Sequence, residues 1–301
     1  MNYPQQVTIV EVGPRDGLQN ESSFVATESK VELINLLSQS GLKHIEVTSF
    51  VSAKAIPQLA DNETVFTSIA KPAGIHYSAL VPNERGMLKA LEAGVKEIAV
   101  FTAASEAFNQ RNINCSISES IHRFEPVIAL AKANKIRVRA YISCVLGCPY
   151  EGEIAPRQVA EVTRQLLALE VDEICLGDTI GVGTPKQTIA VLQQVLEFLP
   201  LPQLAMHFHD TYGQAIANIY ASLEYGIYRF DSSVAGLGGC PYARGASGNV
   251  ATEDVLYLMH GLGIETGVDI FKIVAAGDKI CKLLGKKNQS KVANALLANQ
   301  S

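Results

Sequence analysis

What most limits the folds open to this chain is a repeated alternation of short apolar strands with segments of helical periodicity. Strand patterns begin near residues 7, 44, 74, 96, 136, 171, 204 and 228. The first, V-T-I-V-E-V at 7–12, is rich in β-branched residues and stops at Gly13-Pro14. Residues 28–39, 84–93, 118–134, 156–169, 186–198, 212–225 and 252–261 carry apolar residues at helical spacing. A weaker helix is expected over 53–60, with Pro57 arguing against it. Ser118 is the expected cap of the helix over 118–134, and Pro126 is expected to kink it. Such alternation implies parallel strand pairing, because each crossover must be long and is usually helical. Eight units in a 301-residue chain fit a closed (β/α)8 TIM barrel. The alternative is an open doubly wound sheet, weakened by the lack of Gly-x-Gly-x-x-Gly after the first strand. The expectation is one catalytic domain over 1–301. Its barrel occupies about 5–265, and a helical extension fills about 266–301, opening with a helix over 269–284.

Composition narrows the function. The chain is 48% hydrophobic, with 30 acidic and 25 basic residues and a formal net charge of -5. It has no basic cluster suited to nucleic acid or an anionic membrane. No run of 18 apolar residues appears, so no membrane span is expected. Six cysteines in a chain this long do not make a disulfide scaffold. With no secretory-type start, the expected compartment is reducing and cytoplasmic.

In a (β/α)8 barrel the strand C-termini and the following loops share one mouth. L-A-M-H-F-H-D at 204–210 ends in two histidines. Strand alternation points His207 and His209 one way and Phe208 the other. A packed core histidine beside a surface one is the plain alternative. Asp16, from the loop after strand one, and Asn249, from the loop after strand eight, can add oxygens. The set Asp16, His207, His209 and Asn249 suits a divalent ion: the oxygens favour Mg²⁺ or Mn²⁺, and the imidazoles also admit Co²⁺ or Zn²⁺. Arg15 can stabilise an enolate or form a structural ion pair with Glu46 or Glu11, and Glu46 could orient it for the former. Cys240 sits in G-L-G-G-C-P-Y-A-R-G-A-S-G-N, where it can transfer a proton, act as a nucleophile or simply fill a turn. Tyr141 and Asp178 are expected to contact substrate, and Asp178 could instead hold a histidine. Asp210 is expected to cap the next helix. His44 and His76 read best as packing or solvated residues, and Cys144 and Cys148 as local packing and a wall for a ligand.

Several stretches carry a resemblance. V-G-P-R-D-G-L-Q-N (12–20), N-I-N-C-S-I (112–117), Y-I-S-C-V-L-G-C-P-Y (141–150), L-G-D-T-I-G-V-G-T-P (176–185), H-F-H-D-T-Y-G-Q-A (207–215) and the cysteine loop (235–249) resemble hydroxymethylglutaryl-CoA lyases. The resemblance implies cleavage of 3-hydroxy-3-methylglutaryl-CoA to acetoacetate and acetyl-CoA. It implies a divalent metal on Asp16, His207, His209 and Asn249, and enolate stabilisation by Arg15. Glu46 would support the Arg15–Asp16 pair, and Cys240 would be the catalytic cysteine of a mobile loop. Family members are usually homodimers. Some carry a regulatory cysteine near the C-terminus; this chain departs from that pattern, its last cysteine being Cys281 and its tail reading K-V-A-N-A-L-L-A-N-Q-S. A bacterial cytoplasmic enzyme is the implied setting. Rivals are a condensing enzyme of the same superfamily, an aldolase for 4-hydroxy-2-oxoacids, and a non-enzymatic scaffold.

Overall fold

The computed structural model describes residues 3–239 and 248–299. Eight strands, β1 (Thr8–Glu11), β2 (His44–Ser49), β3 (His76–Leu80), β4 (Glu97–Ala103), β5 (Arg137–Ser143), β6 (Glu173–Asp178), β7 (Leu204–Phe208) and β8 (Arg229–Ser232), are parallel and close into a barrel in chain order. Closure is made by β1 on β8, where Thr8 pairs with Arg229 and Glu11 with Ser232. The helices are α1 (Thr27–Ser38), α2 (Asn62–Ser68), α3 (Glu84–Glu92), α4 (Glu106–Ile113), α5 (Ile117–Ala133), α6 (Pro156–Ala168), α7 (Pro185–Val195), α8 (Ala215–Glu224), α9 (Thr252–Gly261), α10 (Ile270–Leu284) and α11 (Lys291–Ala298). The (β/α)8 barrel with extra C-terminal helices is therefore the observed architecture. Among the described residues, no helix is long and apolar enough to cross a membrane, and the five described cysteines are buried.

Local rules account for the differences from the sequence reading. The proposed helix over 53–60 is displaced: Pro57 opens a short 3-10 turn, Pro57–Leu59, and α2 follows it. Asp61 there accepts from Thr27 Oγ1 and Lys30 Nζ, both at 2.7 Å. The cap of α5 is Ser116, not Ser118. Ser116 and Glu119 form a reciprocal capping box, with Glu119 N to Ser116 Oγ at 3.1 Å and Ser116 N to Glu119 Oε2 at 2.7 Å. Helix α4, capped by Ser105 accepting from Phe108 N at 3.0 Å, has no counterpart in the sequence reading. It is one of two helices between β4 and β5, and it stands on the mouth side of the barrel.

Strand alternation separates two environments. Ile9, Ile45, Ile98, Val138, Ile174, Met206, Phe208 and Phe230 face the helices and join the main core. Inside the barrel, Leu80, Ala99, Tyr141, Cys175 and Ala205 form a small apolar layer. Below it lies a charged floor. Glu173 accepts from Arg137 Nη2 at 2.8 Å and from Arg229 Nη1, and forms an ion pair with Arg139, whose Nε lies 2.8 Å away. His44 stacks on His76 with ring centroids 4.8 Å apart. Burial pushes His44 down to about 3, so it packs there as a neutral ring.

The C-terminal helices brace the turn after β8. Ala235 adopts a left-handed φ of 59°. Its N–H is held by both oxygens of Glu253, at 3.0 Å each, and its carbonyl accepts from Gln289 N at 3.0 Å. A Cβ on Gly277 of α10 would lie 2.8 Å from Glu253 Oε1, so the helix fits flush there only with glycine. Burial pushes Glu253 from 4.5 up to about 8 and Glu11 up to about 7. The folded carboxyls keep protons that the unfolded chain has lost. Their stabilisation is thus full below about 4.5 and falls as pH rises, the loss being complete above about 8. Glu253→Gln removes one of these titrations. Its melting temperature should fall less than wild type between about pH 5 and about pH 8. Parallel melting curves for the two proteins would contradict this.

Candidate active site and metal centre

The mouth is assembled first by the turn after β1. The N–H groups of Arg15, Asp16 and Gly17 all point at the Val12 carbonyl, at 3.1, 2.8 and 3.2 Å, giving a single wide turn over Gly13–Gly17. The packing at Gly17 admits no side chain: a Cβ would meet Ser233 Oγ and Leu237 Cβ at 2.8 Å. The turn sets Arg15 and Asp16 side by side at the barrel mouth. Arg15 is 7% exposed; its Nε donates to Glu46 Oε1 and its Nη1 to Asp16 Oδ1. Glu46 is fully buried, and its other oxygen accepts from Tyr141 Oη at 3.1 Å. The guanidinium carbon of Arg15 lies 5.6 Å from the Tyr141 ring centre. Arg15 is therefore clamped by two carboxylates and remains cationic.

The two histidines come from β7 and the residue beyond it. Their rings lie 5.1 Å apart, and Phe208 between them enters the outer core. One ligand atom from each of Asp16, His207 and His209 falls within 4.8 Å of the others. The loop returning from β8 completes the cluster. Asp210 N donates to Gly248 O at 2.8 Å and Val250 N to Phe208 O at 3.0 Å, which lays Asn249 against His209. Asn249 Nδ2 donates to Asp16 Oδ2 at 2.9 Å and to Leu237 O at 3.1 Å. Its Oδ1 is buried without a hydrogen-bond partner among the described residues. A buried amide oxygen with nothing to accept, beside a carboxylate and two imidazoles, fits a divalent cation. Two glycines permit this approach. A Cβ on Gly238 would meet Asn249 Nδ2 at 2.6 Å, and one on Gly248 would meet the Gly238 carbonyl carbon at 2.5 Å.

Electrostatics favour the same occupant. Burial alone would raise the Asp16 carboxyl, but Arg15, with help from His209 and His207, holds it well below its usual range. Burial lowers His209, leaving a neutral imidazole with a lone pair to offer. His207 is oriented from beneath: its Nδ1 lies 3.1 Å from Asp231 Oδ2, which turns Nε2 towards the mouth. Asp231 is buried, and burial alone would raise it; Arg139, whose Nη2 is 2.6 Å from Oδ1, and His207 hold it low. A chain of contacts thus runs from Arg15 through Glu46, Tyr141, Arg139 and Asp231 to His207. Asp231→Asn should weaken Mn²⁺ binding by about 10- to 100-fold, as loss of an outer partner to a metal-bound histidine does. Mn²⁺ titration by electron paramagnetic resonance checks it, and unchanged affinity would remove Asp231 from that role.

Of the expected site residues, Arg15, Asp16, Glu46, Tyr141, His207, His209 and Asn249 converge. Asp178 does not face the mouth. β6 presents Gly177 inward, so the Asp178 side chain turns outward, where its oxygens accept from Val182 N at 3.2 Å and Gly183 N at 2.9 Å. Its carboxylate shapes the loop after β6 rather than reaching substrate. Cys240 lies outside the described residues. Asp210 accepts from Ala215 N at 2.9 Å, at the start of α8. Arg139 and Asp231 were not anticipated. The alternation R-V-R-A-Y along β5, which puts Arg139 and Tyr141 on one face, is the signal that could have found the first.

A cavity of about 570 Å³ opens over these residues, within the size range of small-molecule sites. Comparison with known proteins agrees with this chemistry. A family model described as HMGL-like matches residues 6–280. A 3-hydroxy-3-isohexenylglutaryl-CoA/hydroxymethylglutaryl-CoA lyase of Pseudomonas aeruginosa is 59% identical over 298 residues, 99% of each chain. The crystal structure of a hydroxymethylglutaryl-CoA lyase from Pseudomonas aeruginosa matches with a TM-score of 0.98 and 59% identity, over 99% of this chain and 100% of that one. An HMG-CoA lyase from Acinetobacter baumannii, solved in complex with coenzyme A and 3-methylmalate, matches with a TM-score of 0.93 at 38% identity, over 98% of this chain and 96% of the other.

Proposed function

We propose the following division of labour on the premise that this chain belongs to the HMGL-like family. The reaction is the metal-dependent cleavage of 3-hydroxy-3-methylglutaryl-CoA to acetoacetate and acetyl-CoA, a carbon–carbon lyase activity. The observation that carries it is the meeting of Asp16, His207 and His209 beside a clamped Arg15 at one cavity. An acyl-CoA is the substrate, in line with the coenzyme A bound to the Acinetobacter relative.

Asp16, His207, His209 and Asn249 would hold a divalent ion, Mg²⁺ or Mn²⁺, which when bound supplies Lewis acidity that makes the tertiary hydroxyl of the substrate more acidic. Asp16 accepts the C3 hydroxyl proton or passes it on. The C2–C3 bond then opens, the new carbonyl becomes that of acetoacetate, and the electron pair moves into the thioester as an enolate. Arg15 stabilises the enolate oxygen, because its guanidinium is fixed before charge develops there. Glu46 is its orienting partner, and Tyr141 contributes a ring and hydroxyl to the substrate wall. Cys240, by its place in the glycine-rich run after β8, is the candidate to return a proton to the enolate carbon.

Residues 1–301 are read as one catalytic unit, cytoplasmic in a bacterial cell and working as a homodimer. Sedimentation at twice the chain mass supports the dimer, and sedimentation at the chain mass overturns it. The activity is tested by offering 3-hydroxy-3-methylglutaryl-CoA after exhaustive chelation and again after adding Mg²⁺ or Mn²⁺. Acetoacetate should appear only with the ion. Full turnover after chelation, or no acetoacetate under either condition, would defeat the reading.

A further inference from the structure

Two lines of support for the cavity meet at a residue that does not line it. Arg139 is 3% exposed and sits one layer below Tyr141 on the inner face of β5. Its Nη1 donates to Tyr141 Oη at 3.1 Å and its Nη2 to Asp231 Oδ1 at 2.6 Å, while its Nε lies 2.8 Å from Glu173 Oε1. Its guanidinium carbon lies 4.8 Å from the Tyr141 ring centre. Around the ring, β5 stands three strands from β8 and three from β2. One guanidinium, extended by the Tyr141 hydroxyl, therefore spans the barrel both ways.

A guanidinium only donates. Tyr141 must accept from it, which leaves the phenolic proton for Glu46 Oε2, 3.1 Å away. Glu46 turns its other oxygen to Arg15 Nε. On the second line, Arg139 occupies Asp231 Oδ1, and Asp231 Oδ2 faces His207 Nδ1 at 3.1 Å. The imidazole proton belongs on Nδ1, and the lone pair of Nε2 faces the mouth. Stability does not account for the cation. A buried charge is costly to desolvate, and buried ion networks replaced by packed apolar residues are often as stable or more so. An apolar side chain in this place could not set the direction of either hydrogen-bond relay.

We propose that Arg139 is a positioning residue for both halves of the site: through Asp231 it aims His207 at the metal, and through Tyr141 and Glu46 it aims Arg15 at the enolate. The inference rests on the lyase reading above. It calls for the planar fork and not only the charge, because a lysine ammonium cannot hold Asp231 and Tyr141 from two ends of one rigid group.

The test uses the full chain. It reads Mn²⁺ affinity by electron paramagnetic resonance, and kcat on 3-hydroxy-3-methylglutaryl-CoA at saturating Mn²⁺, with a melting curve for each variant. Arg139→Lys should weaken Mn²⁺ binding and lower kcat, each by about tenfold or more. Adding Asp231→Asn to it should cost little further Mn²⁺ affinity, and adding Tyr141→Phe little further kcat, since effects within one network do not add. An arginine that merely balances charge would be replaced by lysine without loss on either readout, and that result would overturn the proposal. Loss on one readout alone, or fully multiplied losses in the double variants, would also overturn it. Glu173→Gln, which frees Arg139 from beneath, decides the question if the lysine variant does not fold. It should lower both readouts by about threefold or more, and unchanged values there overturn the proposal. Wild type that yields no acetoacetate strikes the lyase reading itself, and the inference falls with it.

Discussion

Arg15→Gln should lower kcat by about 10²- to 10³-fold and move KM by less than about threefold, a loss of about 3 to 4 kcal/mol confined to the transition state. The thioester oxygen becomes strongly negative only as the C2–C3 bond opens. A cation aimed at it therefore stabilises the transition state more than the bound substrate. Arg15 is suited to this because it needs no rearrangement: Glu46 and Asp16 fix the guanidinium from two sides, and it is almost sealed from water. Glutamine keeps a donor but neither the charge nor the reach. Glu46 would lose its ion pair and keep the Tyr141 hydroxyl, so a melting curve must accompany the kinetics. A raised KM with unchanged kcat would make Arg15 a binding residue only.

The second large effect concerns the ion. His209→Ala should weaken Mn²⁺ binding by more than the 10- to 100-fold expected of an outer partner such as Asp231, and turnover should fall with it. The variant is a clean probe. His209 Nδ1 has no hydrogen-bond partner among the described residues, and its Nε2 lies 3.8 Å from Asp16 Oδ2. Asp16 would still hold its contacts with Arg15 and Asn249. The fold should therefore survive while a donor disappears. Unchanged Mn²⁺ affinity, read from the free-ion signal in electron paramagnetic resonance, would exclude His209 as a ligand.

The strands were the most legible part of the sequence. Their expected starts fall within two residues of those observed, because barrel strands are short, apolar and separated by strong helical patterns. Helix α4 escaped because E-A-F-N-Q-R-N-I is short and mostly polar, and its signal is the single cap at Ser105. The α5 cap is Ser116 because Glu119, three residues on, completes a capping box with it, a pairing that Ser118 lacks. Asp178 is the last residue of β6, but the pleat allots the mouth face to Gly177 and turns the carboxylate to the Val182 and Gly183 N–H groups. Arg139 and Asp231 went unseen for another reason. A buried charge inside a barrel is made tolerable by partners on other strands, and those partners are distant in the chain.

The sequence alone determined the alternation of strand and helix, and with it the parallel pairing. It also set the shared face of His207 and His209, since both follow from backbone dihedrals and residue spacing within a few positions. Tertiary structure decided everything that depends on closure. Only when β1 pairs with β8 does Asp16 arrive beside the histidines. Only the hydrogen bonds of Gly248 and Val250 to β7 and Asp210 bring Asn249 back to the cluster. Ligand distances of this kind are set by where the ring of strands closes and in what register, a property of the whole barrel rather than of any one segment.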